Sequence, residues 1–287
     1  MMRNNDFVAF ILTHGRADNV ITYKTLKNRG YTGRIVLVID NEDDQADRYY
    51  EIYGKDDVFM FDKPKAAQEM DEGCNFQNRG AILYARNKCF DIAEELGYRY
   101  FIELDDDYNN FSFSYASVDG TPREKSTKRL DEVFDILLDF YKSIPAATIA
   151  MAQRGDFIGG KYNDILKNEQ LKRKAMNSFI CDTQRRFDFR GRINEDVNTY
   201  VTLGRRGELF FQVPQVALHQ EQTQQNTGGM TGIYGNFGTY VKSFFSVMYA
   251  PSCVNVAMMG EKYQRLHHHV NWDCAIPKIL DQRFKKA

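Results

Sequence analysis

Three consecutive aspartates, Asp105-Asp106-Asp107, follow directly on the apolar run Tyr100–Leu104. Charges packed this closely repel one another unless solvent or a cation offsets the repulsion. If the strand continues one step, Asp105 and Asp107 point to one side and offer hard oxygens to Mg2+ or Mn2+. A solvated acidic turn is the competing reading of the same residues. A second carboxylate pair, Glu195-Asp196, follows Asn194. It suits general-base chemistry, and it equally suits the start of a helix, where the dipole favours acids. Five histidines, His14, His219, His267, His268 and His269, add possible nitrogen ligands. The last three are consecutive and cannot all face one way, so one or two at most would reach a shared ion.

The cations are unevenly placed. Lys161–Arg192 carries nine Lys and Arg against four acids, whereas Asp40–Glu69 carries ten acids against four bases. Within the basic stretch, Phe179, Phe187 and Phe189 interleave with Arg185, Arg186, Arg190 and Arg192. Arginine for phosphate with an aromatic ring for stacking is how single strands and everted bases are held. A solvated helix face is the alternative. Gln220–Gly235 (QEQTQQNTGGMTGIYG) is polar, glycine-rich and without apolar periodicity, as a lid or a passive surface loop would be.

The elements that must position these groups alternate. Asp6–Thr13 reads as a buried strand, Asp18 as the cap of a helix to about Arg29, and Gly30 as its stop. Arg34–Ile39 and Val58–Phe61 read as further strands. A helix from about Gln77 to Leu96, closed by Gly97, leads to the strand Tyr100–Leu104. Later come a helix over Leu130–Ser143, a strand over Ala147–Ala152, a helix over Glu195–Arg206, and strands near Leu209–Val213 and Val216–His219. This order predicts an α/β fold with a mostly parallel sheet and flanking helices. Ligands in such sheets collect at the carboxyl ends of strands, where Thr13–Arg16, Asp40 and Asp105–Asp107 would meet. One domain over 1–287 is expected, with 1–110 holding one substrate and 111–287 facing the other.

Composition narrows the classes. The chain has 287 residues, 43% hydrophobic and 27% charged, with a formal net charge of −1. A protein that coats nucleic acid would be strongly basic, so any such contact must be a local patch. No apolar run is long enough to span a membrane. The apolar run near the N-terminus is too short for a signal peptide. Five scattered cysteines, never spaced as CxxC, argue against a disulfide framework or a cysteine zinc site and fit a reducing cytoplasm.

The stretch ARNKCFDIAEELGYRYFIELDDD, Ala85 to Asp107, resembles the segment of GT-A glycosyltransferases that ends in their metal-holding aspartates. Asn194-Glu195-Asp196 followed by VNTYVTLGRRGELFFQVPQVALH is similar to the helix, strand and histidine sequence of that superfamily. The resemblance implies a nucleotide-sugar donor, most simply a UDP-sugar, and Mn2+ or Mg2+. It implies Asp107 as metal ligand, and Asp105 on the metal or the ribose. Thr13 and Arg16 would meet the nucleotide, Asp40 the nucleobase, and Arg86 and Asp106 the donor. It implies Asp196 or Glu195 as the base, and His219 or His269 as a further metal ligand. His14-Gly15 departs from the usual first loop, and Ser112–Arg192 is a long insertion where acceptor specificity should lie.

The order of segments, with HQEQTQQNTGG and the late HHH and NWDC, is similar more narrowly to the TET-associated glycosyltransferases of bacteriophages. That resemblance implies 5-hydroxymethylcytosine in phage DNA as acceptor, with Arg185, Arg186, Arg190 and Arg192 near the DNA. Two rival readings follow from the same residues. One is the same fold acting on a surface glycan, protein or lipid; the other is a metal-dependent nuclease or nucleotidyltransferase.

Overall fold

The computed structural model describes residues 2–74, 79–157, 165, 171–220, 240–259 and 264–285. Gln220–Gly235 therefore lies, but for its first residue, outside the described residues. A nine-stranded sheet forms the centre, in the order β3-β2-β1-β4-β8-β7-β9-β5-β6. The strands are β1 Phe7–Leu12, β2 Arg34–Asp40, β3 Val58–Phe61, β4 Tyr100–Asp105, β5 Tyr108–Ala116, β6 Pro122–Ser126, β7 Thr148–Gln153, β8 Ser178–Asp182 and β9 Phe210–Gln220. Following the pairings across the sheet, only β8 and β5 run against the others, so the sheet is mostly parallel as expected.

Helices cover both faces. α1 (Ile21–Asn28), α2 (Ala46–Tyr53) and α5 (Leu130–Ser143) lie on one side; α3 (Lys63–Glu69), α4 (Leu83–Glu95) and α6 (Glu195–Gly204) lie on the other. β1 shows why the central strands read as continuous apolar runs. Phe7, Ala9 and Ile11 join the core under α5, while Val8, Phe10 and Leu12 join the core under α4. A strand buried on both faces has no polar side to alternate with. A smaller unit closes the described chain: α7 (Val241–Tyr249), the hairpin β10 (Val254–Met259) and β11 (Arg265–Val270), and α8 (Trp272–Ala275).

Several boundaries differ from the sequence reading, each for a local reason. Asp18 caps no helix; it sits in a 3-10 turn, Ala17–Asn19, and its carboxylate pairs with Arg48. α1 stops where expected, at Gly30, whose φ of +83° closes the helix while Leu130 N–H donates to the Arg29 carbonyl. α4 begins at Leu83, not near Gln77. The two strands expected on either side of Pro214 are one, β9, whose register against β7 jumps between Met151 and Ala152. Proline cannot donate to the ladder, and the irregularity accommodates it. The described part of Ser112–Arg192 supplies most of β5 and all of β6, α5, β7 and β8 to the common fold.

Candidate active site

The carboxyl ends of β1, β2 and β4 open on one cleft of about 520 Å³. Because β8 runs backwards, it presents Met176 and Asn177, just before its first residue, at the same edge. The first residues of α6 form the opposite wall, so Thr13, Asp40, Asp105, Asp107 and Asp196 all line one space.

The three aspartates do three different things. Asp105 Oδ1 accepts from Arg86 Nη2 at 3.0 Å. Asp106 is buried and accepts from Thr13 Oγ1 at 2.7 Å and Arg16 Nη1 at 2.6 Å. That pair of bonds fastens the β1 loop to the end of β4, and burial holds the Asp106 carboxyl above its usual range despite them. Asp107 is different, since its Oδ1 is buried with no hydrogen-bond partner among the described residues. Burial, then repulsion from Asp105 and Asp106, pushes its carboxyl up to about 7. An acceptor-only group left without a donor costs free energy unless something positive reaches it.

Thr22 at the start of α1 braces this turn. Its hydroxyl donates to the Asp105 carbonyl at 2.6 Å and accepts from Tyr108 N–H at 2.8 Å. Tyr49 on α2 likewise takes the Arg16 N–H and meets Thr13 Oγ1, both at 2.9 Å. Neither residue is visible in sequence as part of a site, because each acts across the sheet from a distant helix.

Arg86 organises the other side. It is wholly buried and faces Glu103 at 3.4 Å, Asp105 at 3.0 Å and Glu195 at 3.2 Å, with its guanidinium 5.1 Å from the centre of the Phe179 ring. Burial opposes its charge, but the three carboxylates more than offset that and hold it protonated. Glu103 is fully buried with one oxygen unpaired, and desolvation pushes its carboxyl up to about 8 against the pull of Arg86. Glu195 is thus tied into this network, while among the described residues Asp196 Oδ1 accepts only the N–H of its neighbour Val197 at 2.7 Å. Burial raises both carboxyls, and for Glu195 the adjacent Asp196 charge adds to it.

The β2 end has its own cluster. Asp40, expected at a nucleobase, has both oxygens engaged. His14 Nδ1 and Lys63 Nζ lie 2.9 and 3.1 Å from Oδ2, and Glu42 N–H donates to Oδ1. Burial would raise Asp40, but the His14 hydrogen bond and the Lys63 charge leave it below the usual carboxylate range. The groups with capacity to spare at this end are His14 and Lys63. Lys63 escaped the sequence reading with the whole of α3, although Asp62 before Lys63-Pro64 is a helix-start signal, and its side chain does accept from Lys65 N–H.

Other expected site residues lie elsewhere. His219 Nε2 is 2.6 Å from Glu124 and 3.2 Å from Ser112 Oγ, among the outer strands, and it does not line the cleft. His269 lies on β11 beside Asn255; its neighbour His268 is the one that meets Asn194, at 3.2 Å. Among the described residues, no three His, Cys, Asp or Glu form a preformed metal group.

Of the four arginines expected at the acceptor, Arg185, Arg186 and Arg190 do not line the cleft; Arg186 and Arg190 instead share a separate cavity with Lys88 and the acids Glu69, Asp71 and Asp188. Arg185 Nη1 donates to the carbonyls of Tyr141, Ile144 and Ala146 at the end of α5. Arg186 pairs with Asp91 at 2.5 Å, and Arg192 is buried against Tyr84. Arg190 holds Thr199 through its backbone N–H. Phe179, Phe187 and Phe189 are core residues packed edge-to-face or tilted on one another, so these three rings offer no face for a base to stack on.

A sheet of this order, with a cleft at its carboxyl edge lined by aspartates, belongs here to a glycosyltransferase. More narrowly, the chain belongs to the TET-Associated Glycosyltransferase family, whose model matches residues 7–229. No curated protein sequence matches the chain. Solved structures similar in shape include glucosyl-3-phosphoglycerate synthase from Mycobacterium tuberculosis, with Mn2+, UDP and phosphoglyceric acid. It shares 10% identity and a TM-score of 0.46, over 92% of this chain and 86% of that one. The mannosyltransferase PcManGT from Pyrobaculum calidifontis, with GDP-Man and Mn2+, shares 10% identity over 86% and 74%, TM-score 0.44. TarS residues 1–349 from S. aureus, with UDP-GlcNAc, shares 10% over 86% and 66%, TM-score 0.47. Among the described residues, no helix is long and apolar enough to cross a membrane.

Proposed function

We propose that this glycosyltransferase moves a sugar from a UDP-sugar to the hydroxymethyl group of 5-hydroxymethylcytosine in DNA, assisted by Mn2+ or Mg2+. The observation that carries the metal and donor is Asp107, a buried carboxylate oxygen with no donor, beside two aspartates already committed to Arg86 and Arg16. Hard oxygen of this kind fits a hard divalent cation. Bound there, such an ion would neutralise charge on the departing diphosphate.

The chain's own residues supply the rest. His14 and Lys63, oriented by Asp40, meet the nucleoside end of the donor. Gly80, Ala81 and Ile82 line the cleft where α4 begins, and α4 has no side-chain cap, so its first N–H groups face a diphosphate. Asp196 accepts the proton of the acceptor hydroxyl as that oxygen bonds to the sugar's anomeric carbon. The bond from that carbon to UDP breaks, and the electron pair leaves with UDP. Membership of the TET-associated family supports the DNA acceptor, and an everted cytosine is the form in which the hydroxyl would reach Asp196.

The test is incubation with hydroxymethylated DNA and a panel of UDP-sugars, read by mass spectrometry of the digested nucleosides. A hexose- or N-acetylhexosamine-sized mass gain on hydroxymethylcytosine is expected. Donor hydrolysis with no nucleoside adduct would overturn the acceptor and favour a glycan, protein or lipid.

A further inference from the structure

With Arg185, Arg186 and Arg192 bonded within the fold and Arg190 away from the cleft, the acceptor end of the cleft needs another source of positive charge. Asn194, which lines the cleft, supplies the link. It begins α6 in the left-handed conformation, φ +55°, and its side chain makes no cap bond. Its amide instead donates to the Lys242 carbonyl at 2.9 Å and to Ser246 Oγ at 3.2 Å, and meets His268 Nδ1 at 3.2 Å. Ser243 on α7 also donates to the Leu266 carbonyl at 3.4 Å, which keeps α7 against β11. Two cations far apart in sequence, Lys242 and Arg265, are thereby brought together next to Asp196.

Their state differs from that of the other cations nearby. Lys174 is paired with Asp156 at 2.7 Å. Lys242 and Arg265 have no carboxylate at ion-pairing distance among the described residues, and Arg265 is exposed. Partial burial, then the Arg265 charge, lowers the Lys242 ammonium, with the Asp196 charge opposing. Two like charges held near one another, next to the cleft-lining Asn194, are unfavourable alone and favourable once an anion bridges them. The donor's own anionic groups have places on the proposed reading by Asp107 and the start of α4, which line the cleft, whereas Lys242 and Arg265 do not line it.

We propose that Lys242 and Arg265, fixed beside Asn194 at the α6 end of the cleft, bind the phosphodiester groups flanking the acceptor nucleotide in DNA. This rests on the DNA-acceptor reading above and gives it a surface: sequence-independent charge that holds the backbone while the target base enters toward Asp196.

The experiment measures DNA affinity against salt for the wild type, Lys242→Gln plus Arg265→Gln, and Arg265→Lys, with UDP binding and thermal melting for each. The double variant should lose about 1.8 from the slope of log affinity against log salt, 0.9 for each lost contact on B-form DNA. Its KM for hydroxymethylated DNA should rise, with UDP affinity within twofold of wild type. Arg265→Lys keeps the charge and should keep the slope. An unchanged slope in a folded double variant, with wild-type transfer to DNA intact, overturns this site alone. Weakened UDP binding with an unchanged slope overturns it too, by assigning the pair to the donor. No transfer to hydroxymethylated DNA by the wild type would instead bring down the acceptor reading and this proposal with it.

Discussion

Arg86 on α4 lies 3.4 Å from Glu103 on β4, both out of contact with solvent. The same guanidinium reaches Asp105 and Glu195, so the strand carrying the aspartates and the helix carrying Glu195 and Asp196 share one counter-ion. The sheet and α6 are positioned relative to each other by charge as well as by packing.

Replacing that counter-ion should be costly. Arg86→Met leaves Glu103, Asp105 and Glu195 facing one another, and loss of one partner of a buried pair costs about 3–5 kcal/mol. Urea denaturation should show a fall of that order. Glu103→Gln, which removes a carboxylate desolvation already disfavours, should change stability far less. Equal losses in the two variants would refute the shared role of Arg86.

Asp107→Asn keeps the shape of the turn and removes the charge from the carboxylate whose Oδ1 has no partner among the described residues. Transfer should fall at least 100-fold and calorimetric Mn2+ binding should vanish, with melting temperature at or above that of the wild type, because a repulsive charge is gone. Full wild-type activity in excess EDTA would end the metal assignment.

The pair Glu195-Asp196 separates into two roles. Asp196→Asn should lower the transfer rate by about 10²–10⁴, the usual contribution of a general base, with UDP-sugar affinity preserved. Glu195→Gln should act first on stability, because Glu195 holds Arg86. A rate within threefold of wild type for Asp196→Asn would remove it from the chemistry.

His14 gives a pH signature. Its hydrogen bond to Asp40 raises its pKa above 6.5, with burial opposing. A cation stabilised in the folded state contributes fully below the unfolded pKa of 6.5, and that contribution is lost as pH rises through the higher folded pKa. NMR titration of the His14 ring should show a midpoint above 6.5 that drops in Asp40→Asn. The stability difference between wild type and His14→Gln should shrink as pH rises past that midpoint.

The sequence showed the parts of this site that are local and missed those that are not. Leu130–Ser143 was readable to the residue because its apolar stripe is wide and continuous. The position of Asp105–Asp107 after a buried strand was equally plain. α2 and α3 are helices of eight and seven residues with one buried apolar side chain each, Tyr49 and Ala66, too little periodicity to register. Arginines alternating with Phe179, Phe187 and Phe189 gave the pattern of a binding surface. Local pattern cannot say which way a ring faces, and here the sheet claimed all three. The work of Thr22, Tyr49 and Lys63 depends on contacts more than twenty residues away in the chain, which no local window contains.

The alternation along β4 has an evolutionary corollary. Ile102 and Leu104 face the core under α5, while Phe101 and Glu103 face α4 and Arg86. Between Tyr100 and Asp107, a substitution alters one contact, whereas a gain or loss of one residue inverts every face. It would press Glu103 into the aliphatic side and hand each aspartate its neighbour's partner. Lineages descended from this chain are therefore held to the length of that segment as strictly as to its aspartates.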